Sequence, residues 1–205
     1  YLNGSVAPHL RGTVGAISAD EYEKLKDSGY TMNDIIGLSG IELALESTLR
    51  GQRGVRTITR SSDGTELSDE ITVQPQAGNS VMLTIDAEYQ KMAQEIVQYH
   101  IDFLHSPHYT QDERGKNCMA GAAVVLDVKT GGVLAMVSNP GYDINDLLEN
   151  YEQVLAAENQ PIFNRALNGA YRPGSTFKTI TATAALAEGI VNPESTIYCS
   201  GTYTH

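Results

Sequence analysis

Basic residues are scarce in this sequence: 14 Lys and Arg stand against 25 Asp and Glu, a formal net charge of −11. A nucleic-acid or anionic-membrane partner needs clustered Lys and Arg to displace condensed counterions, so polyanionic partners are excluded. Cysteine is scarcer still. Cys118 and Cys199 form neither a C-x-x-C pair nor the dense pattern of a disulfide-stapled miniprotein, and they leave the redox compartment open. No apolar run approaches the roughly 20 residues that a membrane-spanning helix needs. The chain opens at Tyr1 with neither Met nor a basic, apolar leader, which predicts a soluble protein or one whose targeting segment has been removed. Internal repeats and low-complexity tracts are missing as well. What is there, 205 residues of which 41% are hydrophobic, suffices for one mid-sized domain or two small ones.

The first segment carries two helix starts of the same kind, Ser18-Ala-Asp-Glu21 and Ser39-Gly-Ile-Glu42. Each reads as a capping box in which Ser and Glu satisfy two free N–H groups reciprocally. Ile17 can staple to Tyr22 and Leu38 to Leu43, while Gly29 and Gly51 are placed to take the left-handed terminating position, so helices are predicted near 19–28 and 40–50. Val55–Thr59 and Ile71–Val73 flank Asp63-Gly64, a pair suited to a tight turn, and predict a β-hairpin. Residues 75–78 read as a linker and Val81–Ile85 as a short strand. Asp86 then caps a helix running to about Leu104, with Tyr89, Met92, Ala93, Ile96 and Val97 at helical spacing. Two apolar runs, 121–128 and 133–137, separated by Lys129-Thr-Gly-Gly132, predict a hairpin at the centre of a covered sheet. A further amphipathic helix is predicted from Asn145 to about Ala157. Pro173-Gly174 breaks the chain before Ser175, and the Ala- and Thr-rich run 179–187, with no charged face, predicts a helix buried between other elements.

Ser175-Thr-Phe-Lys178 sets a hydroxyl and an amine at i and i+3, on one side of a helix and about one turn apart. In the first turn, free backbone N–H groups and the positive end of the helix dipole converge on Ser175 and can stabilise an oxyanion. The same dipole disfavours an ammonium at 178, and burial would favour the neutral amine that accepts the serine proton. Spacing alone is weak, because about one S-x-x-K arises by chance in a chain of this length.

The surroundings carry more. Asn164-Arg-Ala, followed by Tyr171-Arg-Pro-Gly-Ser-Thr-Phe-Lys178, closely resembles the "NRA…Y-x-P-G-S-T-F-K" stretch of class B penicillin-binding proteins, in which S-x-x-K is a signature. His9-Leu-Arg-Gly-Thr-Val-Gly15 is similar to that family's "H-x-x-G-Y-V-G". Gly37-Leu-Ser-Gly-Ile-Glu42 through Leu49-Arg-Gly51 is similar to its "G-x-S-G-[IL]-E…L-x-G", and 121–140 resembles the first hairpin of its transpeptidase sheet.

The resemblance spans nearly the whole chain and implies an α+β fold. Residues 1–78 would belong to a small mixed pedestal, or dimerisation, domain. Residues 79–205 would form the N-terminal part of a transpeptidase α/β sandwich of the serine β-lactamase-like kind. It implies two-step acyl transfer on D-Ala–D-Ala stem peptides of peptidoglycan, with Ser175 as nucleophile and one oxyanion donor, and Lys178 as general base. No cofactor and no metal are expected. The expected partners are peptidoglycan stem peptides, β-lactam antibiotics, other cell-wall synthesis proteins and a second copy of the chain, with no nucleic acid. The expected place is the extracytoplasmic face of the bacterial membrane, held by an N-terminal helix outside these residues.

The family completes its site with S-x-N and K-T-G downstream, yet 27 residues follow Lys178 and no S-x-N occurs. The expectation is therefore a piece of a longer protein, inactive alone. Lys129-Thr-Gly131 spells K-T-G but precedes the serine, where the family has a D-x-K-T-G turn, and is read as a decoy. His100, His105 and His108 with Asp102 and Asp112 fit no standard zinc spacing and read as a solvated helix end and polar loop. Gly169–Thr176 imitates a phosphate loop, but Ser175 stands where that loop needs Lys. Gly12, Gly15, Gly51 and Gly54 read as turn and helix-end glycines, and Cys199 as packed rather than reactive. Two other readings are a non-catalytic pedestal module of the cell-wall machinery and a β-lactamase or β-lactam sensor. The latter leaves the matching region before residue 80 without a counterpart.

Overall fold

The computed structural model describes residues 1–106 and 115–201, and the chain divides into two compact units, Tyr1–Asn168 and Gly169–His205. The first unit opens with a strap that turns into α1 (Pro8–Arg11). Strands β1 (Val14–Ala16) and β2 (Ile35–Gly37) then pair antiparallel around α2 (Ala19–Leu25). The capping box of α2 forms as read: Ser18 Oγ accepts from the Glu21 N–H, and Glu21 Oε2 accepts from the Ser18 N–H at 2.8 Å. Ile17, Tyr30 and Ile36 make a small apolar core with Tyr22 and Leu25 packed on it, and Gly29 at φ 81° ends the turn after α2.

The second predicted helix is two, α3 (Gly40–Ala44) and α4 (Glu46–Leu49), interrupted at Leu45. Its predicted capping box does not form. Ser39 Oγ instead accepts from the Thr13 N–H at 3.1 Å, because the two chain segments cross closely here. Gly12 makes that crossing feasible: its φ is 79°, and a Cβ on it would lie 1.9 Å from the Ser39 carbonyl oxygen. Leu38 and Leu43, read as a staple, are both exposed. Gly51 does not take the left-handed position either. Helix α4 ends at an extended Arg50, and Gly51 is small because the Gln76 carbonyl lies against it. Asp34 is buried between Arg50, at 3.3 Å, and Arg53, and Arg50 also stacks 3.4 Å from the centroid of Tyr30. This network was not legible in the sequence.

The predicted hairpin is β3 (Val55–Arg60) with β4 (Glu66–Val73), longer than read. Its turn is closed by Asp63, whose carboxylate accepts from Ser61 Oγ and the Thr65 N–H and is thereby pulled down to about 2. The stretch read as a linker is stitched back onto the fold. Gln52 and Gln76 exchange backbone hydrogen bonds at 2.8 and 2.9 Å, and the Asn79 N–H donates to the Thr48 carbonyl.

Residues 81–85 are not a strand. They lie beside β6 (Val133–Asn139) through two bonds, Thr84 Oγ1 to the Val133 carbonyl and the Asp86 N–H to the Leu134 carbonyl, which make no ladder. Asp86 Oδ1 accepts from the N–H groups of Glu88 and Tyr89 and caps α5 (Ala87–Leu104), as read. Asp86→Ala is expected to cost about 1 kcal/mol, measured as a lowered urea midpoint. The face that α5 buries differs from the reading. Gln90 and Ile101 are buried, whereas Tyr89, Met92 and Ile96 are about half exposed.

Strand β5 (Gly121–Leu126) pairs antiparallel with β6 as predicted, but only β6 is covered. Val124, Val125 and Leu126 are exposed on β5, while Ala135 and Val137 are buried on β6. The amphipathic helix read over 145–157 is broken at Asn150 into α6 (Ile144–Glu149) and α7 (Tyr151–Ala156). A short α8 (Arg165–Asn168) closes the unit. Among the described residues no helix is long and apolar enough to cross a membrane.

Candidate active site

The second unit is built around α9 (Phe177–Ala187), entered through a one-turn 3-10 segment, Gly174–Thr176. Pro173 cannot extend a regular element backwards, and Gly174 takes φ 55°, a left-handed value that excludes most side chains. The turn is closed by Thr176, whose N–H and Oγ1 both donate to the Pro173 carbonyl, at 3.3 and 2.5 Å. Ser175 therefore stands in the tight turn that precedes α9, not inside its first α-helical turn. The consequence for geometry is favourable. Ser175 and Lys178 stand at i and i+3 across the junction of this turn with α9, a spacing that sets both on one side of the helix start.

Both residues are exposed in this unit. The burial expected around Lys178 is not seen among the described residues of Gly169–His205. The same holds for α9 itself, which was read as buried: it buries no residue, and Phe177, Ile180 and Leu186 are about half exposed. Its sequence is nonetheless suited to burial, because Thr179, Thr181 and Thr183 each donate their hydroxyl to a carbonyl three or four residues back and so need no outside partner.

Asn164 and Arg165, quoted only as part of a matching motif, prove to be organised groups in the first unit. Asn164 Oδ1 accepts from the Leu167 N–H at 3.2 Å and caps α8, and Ser138 Oγ on β6 accepts from the Ala166 N–H at 3.1 Å. Arg165 is buried and donates to the carbonyls of Asn159, Gln160 and Phe163. Nothing in the local pattern signals this, since the carbonyls belong to irregular backbone.

Lys129-Thr-Gly131 sits at the tip of the β5–β6 hairpin. Asp127 accepts from the Lys129 N–H and Thr130 Oγ1, at 2.9 and 2.8 Å, and Gly131 takes φ 75°. These residues build a turn, as read. His100 and His105 are exposed near the end of α5, and Gln98 donates to Asp102. His108 and Asp112 lie outside the described residues, among which no three metal-ligating side chains gather. Cys199 is exposed rather than packed, and the half-buried Cys118 donates weakly to the Ala120 carbonyl.

Residues 1–83 match the Penicillin-binding Protein dimerisation domain, and residues 121–205 the Penicillin binding protein transpeptidase domain. The Peptidoglycan D,D-transpeptidase MrdA of Escherichia coli K12 is 32% identical over 210 residues, covering 98% of this chain and 30% of the relative. Penicillin-binding protein 3 of Bacillus subtilis 168 is 31% identical over 202 residues, 95% of this chain and 26% of the relative. A solved structure described as "Structural coordination of polymerization and crosslinking by a peptidoglycan synthase complex" superimposes with a TM-score of 0.78 at 33% identity, over 96% of this chain and 34% of that one. The complex between Penicillin-Binding Protein (PBP2) and MreC from Helicobacter pylori gives 0.73 at 25% identity, over 96% and 34%.

A dimerisation domain followed by a transpeptidase domain, on a mixed α and β framework, defines a two-domain transpeptidase scaffold. The chain belongs to the penicillin-binding protein family. It spans about 30% of the length of the MrdA relatives it matches.

Proposed function

We propose that the protein of which this chain is part cross-links peptidoglycan by serine acyl transfer. Ser175 Oγ attacks the carbonyl of the penultimate D-Ala of a stem peptide while its proton passes to the Lys178 amine. The tetrahedral intermediate then collapses, the peptide bond breaks, and the terminal D-Ala leaves with that proton. The amine of a neighbouring stem attacks the resulting ester, forms the new peptide bond and returns the proton to Ser175. A β-lactam carbonyl enters the same first step and leaves the serine acylated.

One observation carries this reading: Ser175 and Lys178 share one side of a helix start inside the segment that matches the transpeptidase domain. Residues 1–78 act as the pedestal and 79–205 as the beginning of the catalytic domain, on the extracytoplasmic side of the membrane. The MreC complex of the Helicobacter pylori relative supports other cell-wall proteins as partners.

The test is labelling by a fluorescent penicillin. The full-length protein is expected to be labelled and its Ser175→Ala variant not. The 205-residue chain alone is expected to show negligible labelling, because it contains no S-x-N and no K-T-G after the serine. A folded full-length protein that takes no label would overturn the reading in favour of a non-catalytic pedestal module.

A further inference from the structure

Helix α5 carries amides on its inner face and apolar side chains on its outer one. Gln90 is completely buried and exchanges two hydrogen bonds with the Met136 backbone, Gln94 is bonded to the N-terminal strap, and Val97 and Ile101 lie close to Gly121 of β5. At about 3.6 residues per turn, Tyr89, Met92, Ile96 and Tyr99 fall on the opposite side of the helix. All four are between 49 and 63% exposed. They alternate as the a and d positions of a heptad do, along the seam by which two helices interlock. Phe103 holds the next a position and stacks on Tyr99, with ring centroids 6.4 Å apart. Glu88, Glu95 and Asp102, all exposed, occupy successive g positions along one edge of this stripe, and Ala93 and His100 stand at e on the other.

We propose that the outer face of α5 is a docking surface for an amphipathic helix of another polypeptide, one with its own apolar a and d positions and with Lys or Arg beside them. Tyr and Met are enriched where proteins meet, and an exposed apolar patch rimmed by charge marks such a place. The stripe points away from the β5–β6 sheet, so strands added to that sheet leave it uncovered. The acidic edge decides the chemistry of the partner. Lys or Arg at the flanking positions of an incoming helix pair with Glu88, Glu95 and Asp102, and such flanking charges select partners where helices interlock. A second copy of α5 fits worse. Antiparallel docking sets acid against acid, and parallel docking sets Glu88 and Glu95 against Ala93 and His100. A lipid surface fits worse as well, because a helix lying on an anionic membrane presents Lys and Arg beside its apolar face. The surface is independent of the acyl-transfer function proposed above.

The test uses the full-length protein and two fluorescein-labelled amphipathic peptides, both with Leu at a and d, one with Lys and the other with Glu at e and g. Binding is read by fluorescence anisotropy. The Lys peptide is expected to bind about ten-fold or more tightly than the Glu peptide, and the triple variant Glu88→Lys, Glu95→Lys, Asp102→Lys is expected to reverse that order. Ile96→Asp is expected to weaken the Lys peptide roughly thirty-fold, the size of an interface hot spot. It adds a negative charge, so bulk attraction between an acidic protein and a basic peptide would move the affinity the other way. Met92→Asp, one turn earlier on the stripe, repeats the test at a second exposed position, and unchanged urea midpoints show that both variants are folded. Failure of the Lys peptide to bind wild type overturns the proposal, because the stripe is then covered by the rest of the protein. Binding that survives both Asp variants overturns it in favour of bulk charge attraction. Self-association on sedimentation that Ile96→Asp abolishes overturns it in favour of a second copy, and binding to phosphatidylglycerol vesicles that Ile96→Asp abolishes overturns it in favour of a lipid surface.

Discussion

Lys178→Ala in the full-length enzyme is expected to slow penicillin acylation by about 10² to 10⁴, the range supplied by a positioned general base. Ser175→Ala is expected to leave no covalent adduct at all. The two effects differ in kind. Without Ser175 Oγ there is no atom to form the ester, whereas without the Lys178 amine the hydroxyl remains but must lose its proton to solvent. In the proposed mechanism the i, i+3 spacing across the junction of the 3-10 turn with α9 is what lets this lysine serve as the base. Lys178 is exposed in this structure. The decisive measurement is the rate of adduct formation at a fixed pH, and a Lys178→Ala variant that acylates at the wild-type rate would remove Lys178 from the mechanism.

Gln90→Leu is expected to destabilise Tyr1–Asn168 by about 2–6 kcal/mol, read from the urea midpoint of unfolding. The Gln90 side chain is completely buried and meets the Met136 backbone as a neighbouring strand would. Oε1 accepts from the Met136 N–H at 2.8 Å, and Nε2 donates to the Met136 carbonyl at 2.9 Å. Leucine fills similar space and leaves both backbone groups buried without partners, each costing about 1–3 kcal/mol. Gln94 continues the chain of bonds. Its Oε1 accepts from Gln90 Nε2 and the Ala7 N–H, and its Nε2 donates to the Ser5 carbonyl. Two glutamines one helical turn apart thus join β6 to the N-terminal strap. A shift below about 1 kcal/mol for Gln90→Leu would mean that water replaces the amide without penalty.

Which features the sequence reveals depends on how far apart the interacting groups lie along the chain. The Ser18 box, the Asp86 cap, the Asp127 turn and the β5–β6 hairpin were all legible because each is closed by bonds between near neighbours. The exposed face of α5 shows where periodicity misleads. Tyr89, Met92 and Ile96 have helical spacing, but the groups that β6 and the N-terminal strap demand are amides, so polar Gln90 and Gln94 face inward. Ser39 fails as a cap for a related reason, since a hydroxyl takes the nearest donor and the fold brings Thr13 to it.

The sequence by itself determined the Ser18 and Asp86 caps, the two hairpins, the chain break at Pro173-Gly174 and the spacing that lets Ser175 and Lys178 share a face, because all of these are local stereochemistry. Only the tertiary structure decided which side chains meet across distance: His9 with Pro161, Arg165 with the 159–163 turn, Gln90 with Met136 and Asp34 with its two arginines. The physical reason is that a backbone carbonyl or N–H carries the same chemistry at every position. No residue pattern marks which one a distant side chain will capture until the chain has folded back on itself.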